Sequence, residues 1–203
     1  MSISTSYKAL RKLHEILAKP IYTPVARCAF YLNGATVQKG LNVNGFIQVY
    51  VTRRGQLSIG ESLSLNSGPK HNVIGRQQKC IFWVEGHCRI GNNVGMSATA
   101  LICNAEISIG DNVLIGGNTV IYDTDFHNLD PESRLDKASD LKSAPRAPVR
   151  IGNSVFIGAH TTILKGITIG DNAVVGACSV VTKDIPANEV WAGNPAKLIK
   201  RIV

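Results

Sequence analysis

The residue best suited to do chemistry in this chain is a histidine in an acid-rich stretch. His127 lies among six of the fourteen acidic residues of the protein: Asp123, Asp125, Asp130, Glu132, Asp136 and Asp140. Histidine titrates near neutral pH, so its ring suits a general base that takes a proton from a hydroxyl group. A lone loop histidine is more often a solvated bystander, so this role depends on the elements that position it.

Positive charge is the second chemical feature. The chain carries 22 Lys and Arg against 14 Asp and Glu, a net charge of +8. Residues 1–54 hold eight basic residues against one acid, Glu15, and the C-terminus adds Lys197, Lys200 and Arg201. This excess favours an anionic partner: nucleic acid, a membrane surface or a phosphorylated small molecule. The basic stretches lack aromatic interleaving and nucleic-acid-binding motifs, so we expect no nucleic-acid partner.

The cysteines indicate the compartment. They are odd in number and form no C-x-x-C pair: Cys28, Cys80, Cys88, Cys103 and Cys178. This is typical of free thiols in a reducing environment. His87 and Cys88 are adjacent rather than spaced as ligands, so no metal site is predicted. The sequence has no run of about 18 apolar residues and no secretory signal, so we expect a cytoplasmic protein.

An aliphatic residue recurs at every sixth position in the C-terminal half. The best-kept run has Ile or Val at 151, 157, 163, 169, 175 and 181, and the same phase holds at 109, 115 and 121 and at 90, 96 and 102, with Met at 96. A period of six fits the strand period of two but not the helical 3.6. Short strands must therefore stack as a prism with a thin aliphatic core. Gly and Asn after the aliphatic positions suit corners with positive φ.

The other segments are predicted to cap or interrupt the prism. Residues 5–18 form a helix that Pro20 stops, and it either packs on the open end of the prism or rests on an anionic membrane. Its apolar face is Tyr7, Leu10, Leu13 and Leu17. Irregular first coils are expected over 28–51. The 66–79 loop is expected to be a surface excursion or a substrate-facing lip.

The chain is predicted to be one domain over 1–203. We expect a helix and irregular capping coils over 1–56, the β-helix over 57–182, and a tail over 183–203. A loop over 122–149 interrupts the hexads without changing their phase. A loop this long in a compact repeat is more often functional than idle.

These features resemble the hexapeptide-repeat acyltransferases, a family that includes galactoside and maltose O-acetyltransferases. The resemblance covers residues 57–201 and rests on the hexads, on GDNVLIGGNTVIYDTDFHNLDPESR and on VVTKDIPANEVWAGNPAKLIKRI. It implies an all-β fold: a left-handed parallel β-helix with an N-terminal helix, a long catalytic loop and a C-terminal tail. It also implies acetyl-CoA as co-substrate, no metal, and a homotrimer with the cofactor between neighbouring subunits.

The resemblance places His127 at the catalytic histidine of the family motif T-H-P-L-D-P-E. This chain reads Phe126, His127, Asn128, Leu129, Asp130, Pro131 and Glu132. Phe replaces Thr, Asn replaces Pro, and one extra residue lies between Asn118 and the histidine. His127 is thus the expected general base of a direct transfer without a covalent enzyme intermediate, and Asp125 is expected to orient its ring.

The resemblance also implies a set of cofactor contacts: Phe156, Ala159, Ala177, Thr182, Lys183, Lys197 and Lys200. The amide of Ala159 is the expected oxyanion donor. Lys197 and Lys200 stand where the family commonly has Arg, which keeps the charge but loses the bidentate fork. A solvated basic tail is the alternative. His160 is expected to be a turn residue, with a place in the cofactor cleft as the alternative.

The acceptor site departs from the family. Met96, Ser97 and Ala98 replace the N-x-N segment of the galactoside and maltose enzymes, so free galactosides and maltose are expected to be poor acceptors. Asn104 and Asp125 are the candidate acceptor contacts. We predict an O-acetyltransferase that acts on a sugar hydroxyl in capsular, exopolysaccharide or O-antigen synthesis. The alternatives are N-acetylation of a nucleotide-linked amino sugar, serine O-acetylation, a metal-dependent enzyme resembling γ-carbonic anhydrases, and a non-catalytic scaffold.

Overall fold

The computed structural model describes residues 3–72, 74 and 78–202, and over these residues the chain winds through six coils of three short strands each. In chain order the strands are β1 (Thr36–Val37), β2 (Asn42–Asn44), β3 (Gln48–Val51), β4 (Gln56–Ile59), β5 (Ser64–Asn66), β6 (Ile81–Val84), β7 (His87–Ile90), β8 (Gly95–Ser97), β9 (Ala100–Cys103), β10 (Glu106–Ile109), β11 (Leu114–Ile115), β12 (Val120–Tyr122), β13 (Val149–Ile151), β14 (Phe156–Ile157), β15 (Thr162–Ile163), β16 (Thr168–Ile169), β17 (Val174–Val175) and β18 (Val180–Val181). Strands β19 (Glu189–Ala192) and β20 (Lys197–Arg201) then form an antiparallel hairpin. The helices are α1 (Ile3–Leu32) and α2 (Lys137–Ser143), with a 3₁₀ turn over Ser133–Leu135 before α2.

Three sheets form the faces of the prism, and their neighbouring strands are parallel except at the β19–β20 hairpin. The first face runs β1-β4-β7-β10-β13-β16, the second β2-β5-β8-β11-β14-β17-β19-β20, and the third β3-β6-β9-β12-β15-β18. The hexad residues from Ile151 to Val181 are all buried, as the period of six predicts. Equivalent residues pair in register, as in Ile90 with Ile109 and Ile109 with Ile151. The aliphatic core is therefore a continuous column along the prism axis.

The N-terminal helix is longer than the sequence predicts. The prediction that Pro20 stops it is wrong, because α1 continues through Pro20 and Pro24 to Leu32. The second half of α1 buries one face against the open end of the prism: Tyr22, Ala26 and Phe30. The Phe30 ring packs edge-on against Phe82, with centroids 5.3 Å apart. This burial offsets the roughly 3 kcal/mol that a proline costs inside a helix.

The face of α1 that was expected to cover the prism does not do so. Tyr7 and Leu10 are each 65% exposed and Leu13 is 51% exposed, and the side chain of Leu17 lies outside the described set. The first coil is also regular, whereas irregular coils were predicted. Strands β1, β2 and β3 pair parallel with β4, β5 and β6.

The 66–79 loop folds back onto a corner of the prism. Asn72 Nδ2 donates to Asn118 Oδ1 at 3.0 Å, and Gln78 Nε2 donates to the Ala98 carbonyl at 2.8 Å. Residues 73 and 75–77 lie outside the described part of the chain. The described part of the loop thus lies one coil before the corner that holds Ala159, because the amide of His160 donates to the Gly117 carbonyl beside Asn118.

Asparagine and glycine serve the corners for different reasons. Asn93, Asn112 and Asn172 have φ of 55° to 60°, as predicted for corner residues. The glycines at the second hexad position do not have positive φ, so that part of the prediction is wrong. A Cβ on Gly158 would lie 2.4 Å from the Ala177 nitrogen. These glycines allow close approach between successive coils.

The residue after these glycines links coil to coil. Asp111 Oδ1 accepts the Asn92 N–H at 2.7 Å, Asn153 Oδ1 accepts the Asp111 N–H at 2.9 Å, and Asp171 Oδ1 accepts the Asn153 N–H at 2.6 Å. Each side chain satisfies a backbone donor that the turn leaves unpaired. Charged and neutral side chains alternate along this ladder, so like charges are kept apart.

Candidate active site

His127 forms a short pair with a buried carboxylate. Its Nδ1 lies 2.6 Å from Asp140 Oδ2, and the imidazole is 67% exposed whereas the Asp140 side chain is 7% exposed. Asp140 Oδ1 accepts the backbone N–H of Asn128 at 2.6 Å. Nε2 of His127 makes no hydrogen bond to the described residues. One ring nitrogen is therefore fixed by the protein and the other is free to act on a substrate.

Helix α2 places Asp140. Asp136 caps the helix, with its carboxylate accepting the Ser139 N–H at 2.8 Å. Asn128 ties the histidine segment to the end of α2, because its Nδ2 donates to Ser143 Oγ at 2.9 Å. The hydrogen bond from His127 holds the pKa of Asp140 below its ordinary value, with the Asn128 N–H adding to the effect. Asp140 is thus ionised at neutral pH.

The expectation that Asp125 orients the histidine is wrong. Its carboxylate instead pairs with Lys165 Nζ at 2.7 Å, in the turn that precedes β16. This pair braces the base of the loop. The two legs of the loop are also joined by an antiparallel bridge between Thr124 and Arg146 and by the Asp125 N–H donating to the Pro145 carbonyl. The two ends of the loop that carries His127 are therefore held together where the loop leaves the prism.

The residue before His127 has an unusual backbone conformation. Phe126 has φ of 65°, which is uncommon for a bulky residue, and its N–H donates to Thr124 Oγ1 at 3.2 Å. The Phe126 ring packs edge-on against Tyr122, with centroids 5.3 Å apart. Strain of this kind persists only where surrounding contacts hold it, and it is frequent at functional sites.

His127 opens onto a cavity of about 540 Å³. Its other lining residues are Trp83, Glu85, Ile102, Asn104, Thr124, Phe126, Leu141, Ala144 and Arg146. Asn104, a predicted acceptor contact, thus shares the cavity with the histidine. Asn104 Oδ1 is buried and has no hydrogen-bond partner among the described residues. The buried Asp123 fixes this corner, because its two carboxylate oxygens accept the Asn104 and Ala105 N–H groups at 2.7 Å.

The buried thiols are poor nucleophiles. Burial raises the pKa of Cys80 to about 11. The hydrogen bond with Cys88, together with burial, raises the pKa of Cys103 far above its ordinary value. Thiols in this state are protonated at neutral pH and react slowly. Cys80 and Cys103 are therefore poorly suited to act as nucleophiles.

The predicted cofactor residues lie on other parts of the prism. Phe156 is 48% exposed on the second face, and Ala159 and Ala177 follow Gly158 and Gly176 at successive corners. Two pairs follow in chain order: Thr182 and Lys183 come after β18, and Lys197 and Lys200 lie on β20. The described lining of the His127 cavity includes no member of this set. His160, with φ of 61°, has a buried Nδ1 without a hydrogen-bond partner among the described residues.

Two family models match this chain. The model described as bacterial transferase hexapeptide (six repeats) matches residues 148–183. The model described as hexapeptide repeat of succinyl-transferase matches residues 106–122. Both lie in the hexads that form the prism.

Individual relatives extend the similarity. WbbJ of Escherichia coli K12, named for lipopolysaccharide biosynthesis as an O-acetyl transferase, is 33% identical over 156 residues, 75% of either chain. Galactoside O-acetyltransferase of the same organism is 48% identical over 102 residues, 50% of this chain and 47% of that one. A solved galactoside acetyltransferase in complex with coenzyme A is 27% identical with a TM-score of 0.58, over 100% of this chain and 84% of that one. The chain spans about half the length of several curated relatives it matches.

The chain belongs to the hexapeptide-repeat acetyltransferase family, and its fold is the left-handed parallel β-helix of that family. The predicted family and fold class are thus confirmed. The predicted enzyme class, an acyltransferase that uses acetyl-CoA, is also the class that the names of these relatives and the bound coenzyme A indicate.

The described residues were compared with the requirements for a membrane-spanning helix and for a metal site. None of their helices is long and apolar enough to cross a membrane. Among them no three His, Cys, Asp or Glu side chains lie close enough to hold a metal ion. The alternative that resembles γ-carbonic anhydrases requires three metal-binding histidines, and the described residues do not bring three together.

Proposed function

We propose that this protein is an acetyl-CoA-dependent O-acetyltransferase that acts on a sugar hydroxyl in the synthesis of a surface polysaccharide. The observation that carries the proposal is the His127–Asp140 pair at the edge of a cavity, with Nε2 of the histidine unpaired among the described residues. This is the arrangement that a general base toward a hydroxyl group requires. Family membership supports the acyl donor, and WbbJ supports a role in glycan synthesis.

The proposed reaction is a direct transfer. Because Asp140 accepts the Nδ1–H of His127, the lone pair lies on Nε2, which takes the hydroxyl proton as the oxygen attacks the thioester carbonyl. The amide of Ala159 stabilises the oxyanion that forms. When the carbon–sulfur bond breaks, the imidazolium returns the proton to the thiolate of coenzyme A. The products are the sugar ester and free coenzyme A.

The cofactor is proposed to lie against a neighbouring copy of the chain in a homotrimer. Phe156, Ala159 and Ala177 would line the pantetheine arm, with Thr182 and Lys183 beyond them. Lys197 and Lys200 would neutralise phosphates, and both are exposed on β20. The separation of this set from the His127 cavity within one chain supports an active site built from two copies.

The acceptor is proposed to be a sugar within a larger or anionic glycan, contacted by Asn104 and, at the base of the loop, Asp125. Free galactosides and maltose are expected to be poor acceptors because the N-x-N segment is absent. A glycan repeat unit or a phosphorylated precursor is expected to be acetylated, and salt should weaken the reaction by screening the basic surface.

We place the enzyme in the cytoplasm with α1 against the inner membrane surface. All five cysteines are free, which suits a reducing compartment. Tyr7, Leu10 and Leu13 are exposed beside the charged Lys8 and Lys12, a pattern that fits an interfacial helix on anionic lipid. Flotation with phosphatidylglycerol vesicles should recover the protein, and a Leu10→Ser, Leu13→Ser variant should float poorly. Equal recovery with neutral phosphatidylcholine vesicles would contradict this placement.

The test of the function is acetyl transfer to a panel of sugars, glycan repeat units and sugar phosphates, followed by thiol release and by mass spectrometry of the acceptor. His127→Ala should lower the rate by roughly a hundred- to ten-thousandfold. His87→Ala removes an exposed histidine outside the cavity and is the matched control, expected to retain normal turnover. Near-normal turnover in His127→Ala, or no transfer to any glycan, would overturn the proposal.

A further inference from the structure

The third face of the prism carries a column of large side chains in register. Tyr50 pairs with Trp83, Trp83 with Ile102, and Ile102 with Tyr122, each one coil further along the axis. Strand side chains at these positions stand away from the sheet, so the column is a continuous outer surface. Trp83 is 37% exposed and Tyr50 is 45% exposed.

The column contains a slot. Ile102 is the aliphatic member between two aromatic ones, with Trp83 one coil before it and Tyr122 one coil after it, and Phe126 packs on Tyr122. Two strand spacings separate the aromatic members, about 9–10 Å. Aromatic rings pack on neighbours at centroid distances of about 4.5–7 Å. The cavity of about 540 Å³ is lined by Trp83 and Ile102 of this column and by Phe126, so the space beside the indole is large enough for a ring.

The tryptophan wall is held in place. The Tyr50 ring packs against Trp83, with centroids 4.3 Å apart and an angle of 33° between the planes. The indole Nε1–H donates to Glu85 Oε1 at 3.2 Å. Tyr50 does not line the His127 cavity, whereas Trp83 and Glu85 do. One face of the indole is thus covered by Tyr50, and the side toward the cavity remains for a ligand.

The polar end of the slot offers hydrogen-bond acceptors. Asn104 Oδ1 is buried without a partner among the described residues, and the Glu85 carboxylate lines the same cavity. Hydroxyl groups are the natural donors to such oxygens. A pyranose combines both requirements, because its C–H face packs on an aromatic ring while its edge carries hydroxyls. A nucleobase also stacks on aromatic rings but brings fewer donors.

We infer that Trp83 is the residue that selects the acceptor by stacking on the pyranose ring, with Tyr50 as its positioning residue. The inference rests on the proposed function for the identity of the site, since His127 borders the same slot. Asn104 Oδ1 would accept a ring hydroxyl and so set which hydroxyl faces the base. The substrate class is a glycan whose modified residue presents an apolar pyranose face.

The first test measures binding without acetyl transfer. The chain has two tryptophans, so Trp191→Phe leaves Trp83 as the only indole reporter. Methyl glycopyranosides of glucose, galactose, mannose and N-acetylglucosamine are titrated while Trp83 emission is followed, with glycerol as a polyol that lacks a ring face. A saturable change with at least one glycoside and none with glycerol is expected. No saturable change with any glycoside, or a change with adenosine alone, would overturn the inference.

The second test uses transfer kinetics on any acceptor that the full-length protein acetylates. Trp83→Ala should raise the acceptor KM by about tenfold or more and leave the KM for acetyl-CoA unchanged, while Trp83→Phe keeps most of the affinity. Tyr31→Ala removes an exposed aromatic residue outside the cavity and is the matched control. An unchanged acceptor KM in Trp83→Ala overturns the stacking role while the proposed function stands. If Trp83 binds glycosides but the protein acetylates none of the acceptors, the stacking role stands and the proposed function is overturned.

Discussion

Asp140 determines which nitrogen of His127 carries the proton in the neutral ring. It accepts Nδ1–H at 2.6 Å and, through its other oxygen, the N–H of Asn128. Its pKa is lowered first by the hydrogen bond from His127 and then by that from Asn128. Because the folded pKa lies below the ordinary value of 3.8, the stability contributed by the ionised form is present above that value. It is lost as the pH falls through the lowered folded value.

We expect Asp140→Asn to lower acetyl transfer by about a hundred- to ten-thousandfold at neutral pH while the fold is retained. A neutral amide no longer fixes the tautomer of His127 or stabilises its imidazolium. Initial rates of thiol release measure the effect, and circular dichroism checks the fold. Asp130→Asn is the control, because Asp130 bonds Ser133 within the loop and does not touch the histidine. Equal losses in the two variants would contradict the role of Asp140.

The sequence indicated His127 as the candidate general base but did not indicate that Asp140 is its hydrogen-bond partner. His127 lies in a motif read from adjacent residues, whereas Asp140 lies 13 residues away and reaches the ring only because α2 folds back. Among six acids in one loop, proximity in sequence favoured Asp125, which the structure pairs with Lys165. The signal that was available is the cap at Asp136, which starts a short helix and sets the position of Asp140.

At the scale of the coil, a glycine after each aliphatic residue has two possible causes: a positive φ at the corner or a close approach between successive coils. The hexad period predicted strands, faces and core correctly, since it depends only on alternation along each strand. The glycine after each aliphatic residue was interpreted as a positive-φ position. That conformation belongs instead to Asn93, Asn112 and their equivalents. A single sequence does not report how closely two coils approach, so the reason for the glycines could not be read from it.

Replacement of a glycine at a close approach between coils is expected to destabilise the protein. A Cβ on Gly158 would lie 2.4 Å from the Ala177 nitrogen, so Gly158→Ala must move backbone, and we expect a loss of about 1–3 kcal/mol in the free energy of unfolding. Gly95 is the matched control, because its Cβ would meet only the flexible end of Leu114 at 3.0 Å. Denaturant unfolding at a fixed protein concentration compares the two. Similar losses in both variants would show that coil spacing is not the cause.

At the scale of the whole molecule, α1 shows tertiary packing overriding the local helix propensity of its residues. Two prolines within one helix predict an end at the first, yet burial of Phe30 and its neighbours on the open prism carries the helix to Leu32. Helix propensity is a weak guide to where a helix ends when the helix buries apolar side chains against another part of the protein. The first coil, β1 to β3, forms the open end of the prism that α1 covers. The sequence did not show that this coil is regular, so it did not show that α1 would have a flat end to pack on.

In the proposed homotrimer, the assembly of the chains decides where each active site is completed. Within one chain the described lining of the His127 cavity includes none of the proposed cofactor residues. In the proposed trimer each site would take His127 from one copy and Lys197 and Lys200 from its neighbour. Two defective chains should then complement each other. His127→Ala would supply intact lysines, and a Lys197→Ala, Lys200→Ala chain would supply an intact histidine.

We therefore expect activity to return when these two variants are co-expressed with different tags and the mixed assemblies are purified. In every mixed trimer, whichever variant is present twice, one interface joins an intact histidine side to an intact lysine side, so about one third of the interfaces are fully functional. Thiol release is measured at an acetyl-CoA concentration below the wild-type KM, where loss of the lysines has its full effect. A mixture of His127→Ala with Asp140→Asn is the control, because both defects fall on the same side of the interface and no interface with full wild-type activity forms. If the histidine and the lysines of one chain served the same site, every site would keep one defect, and the first mixture would be no more active than the average of its two parents.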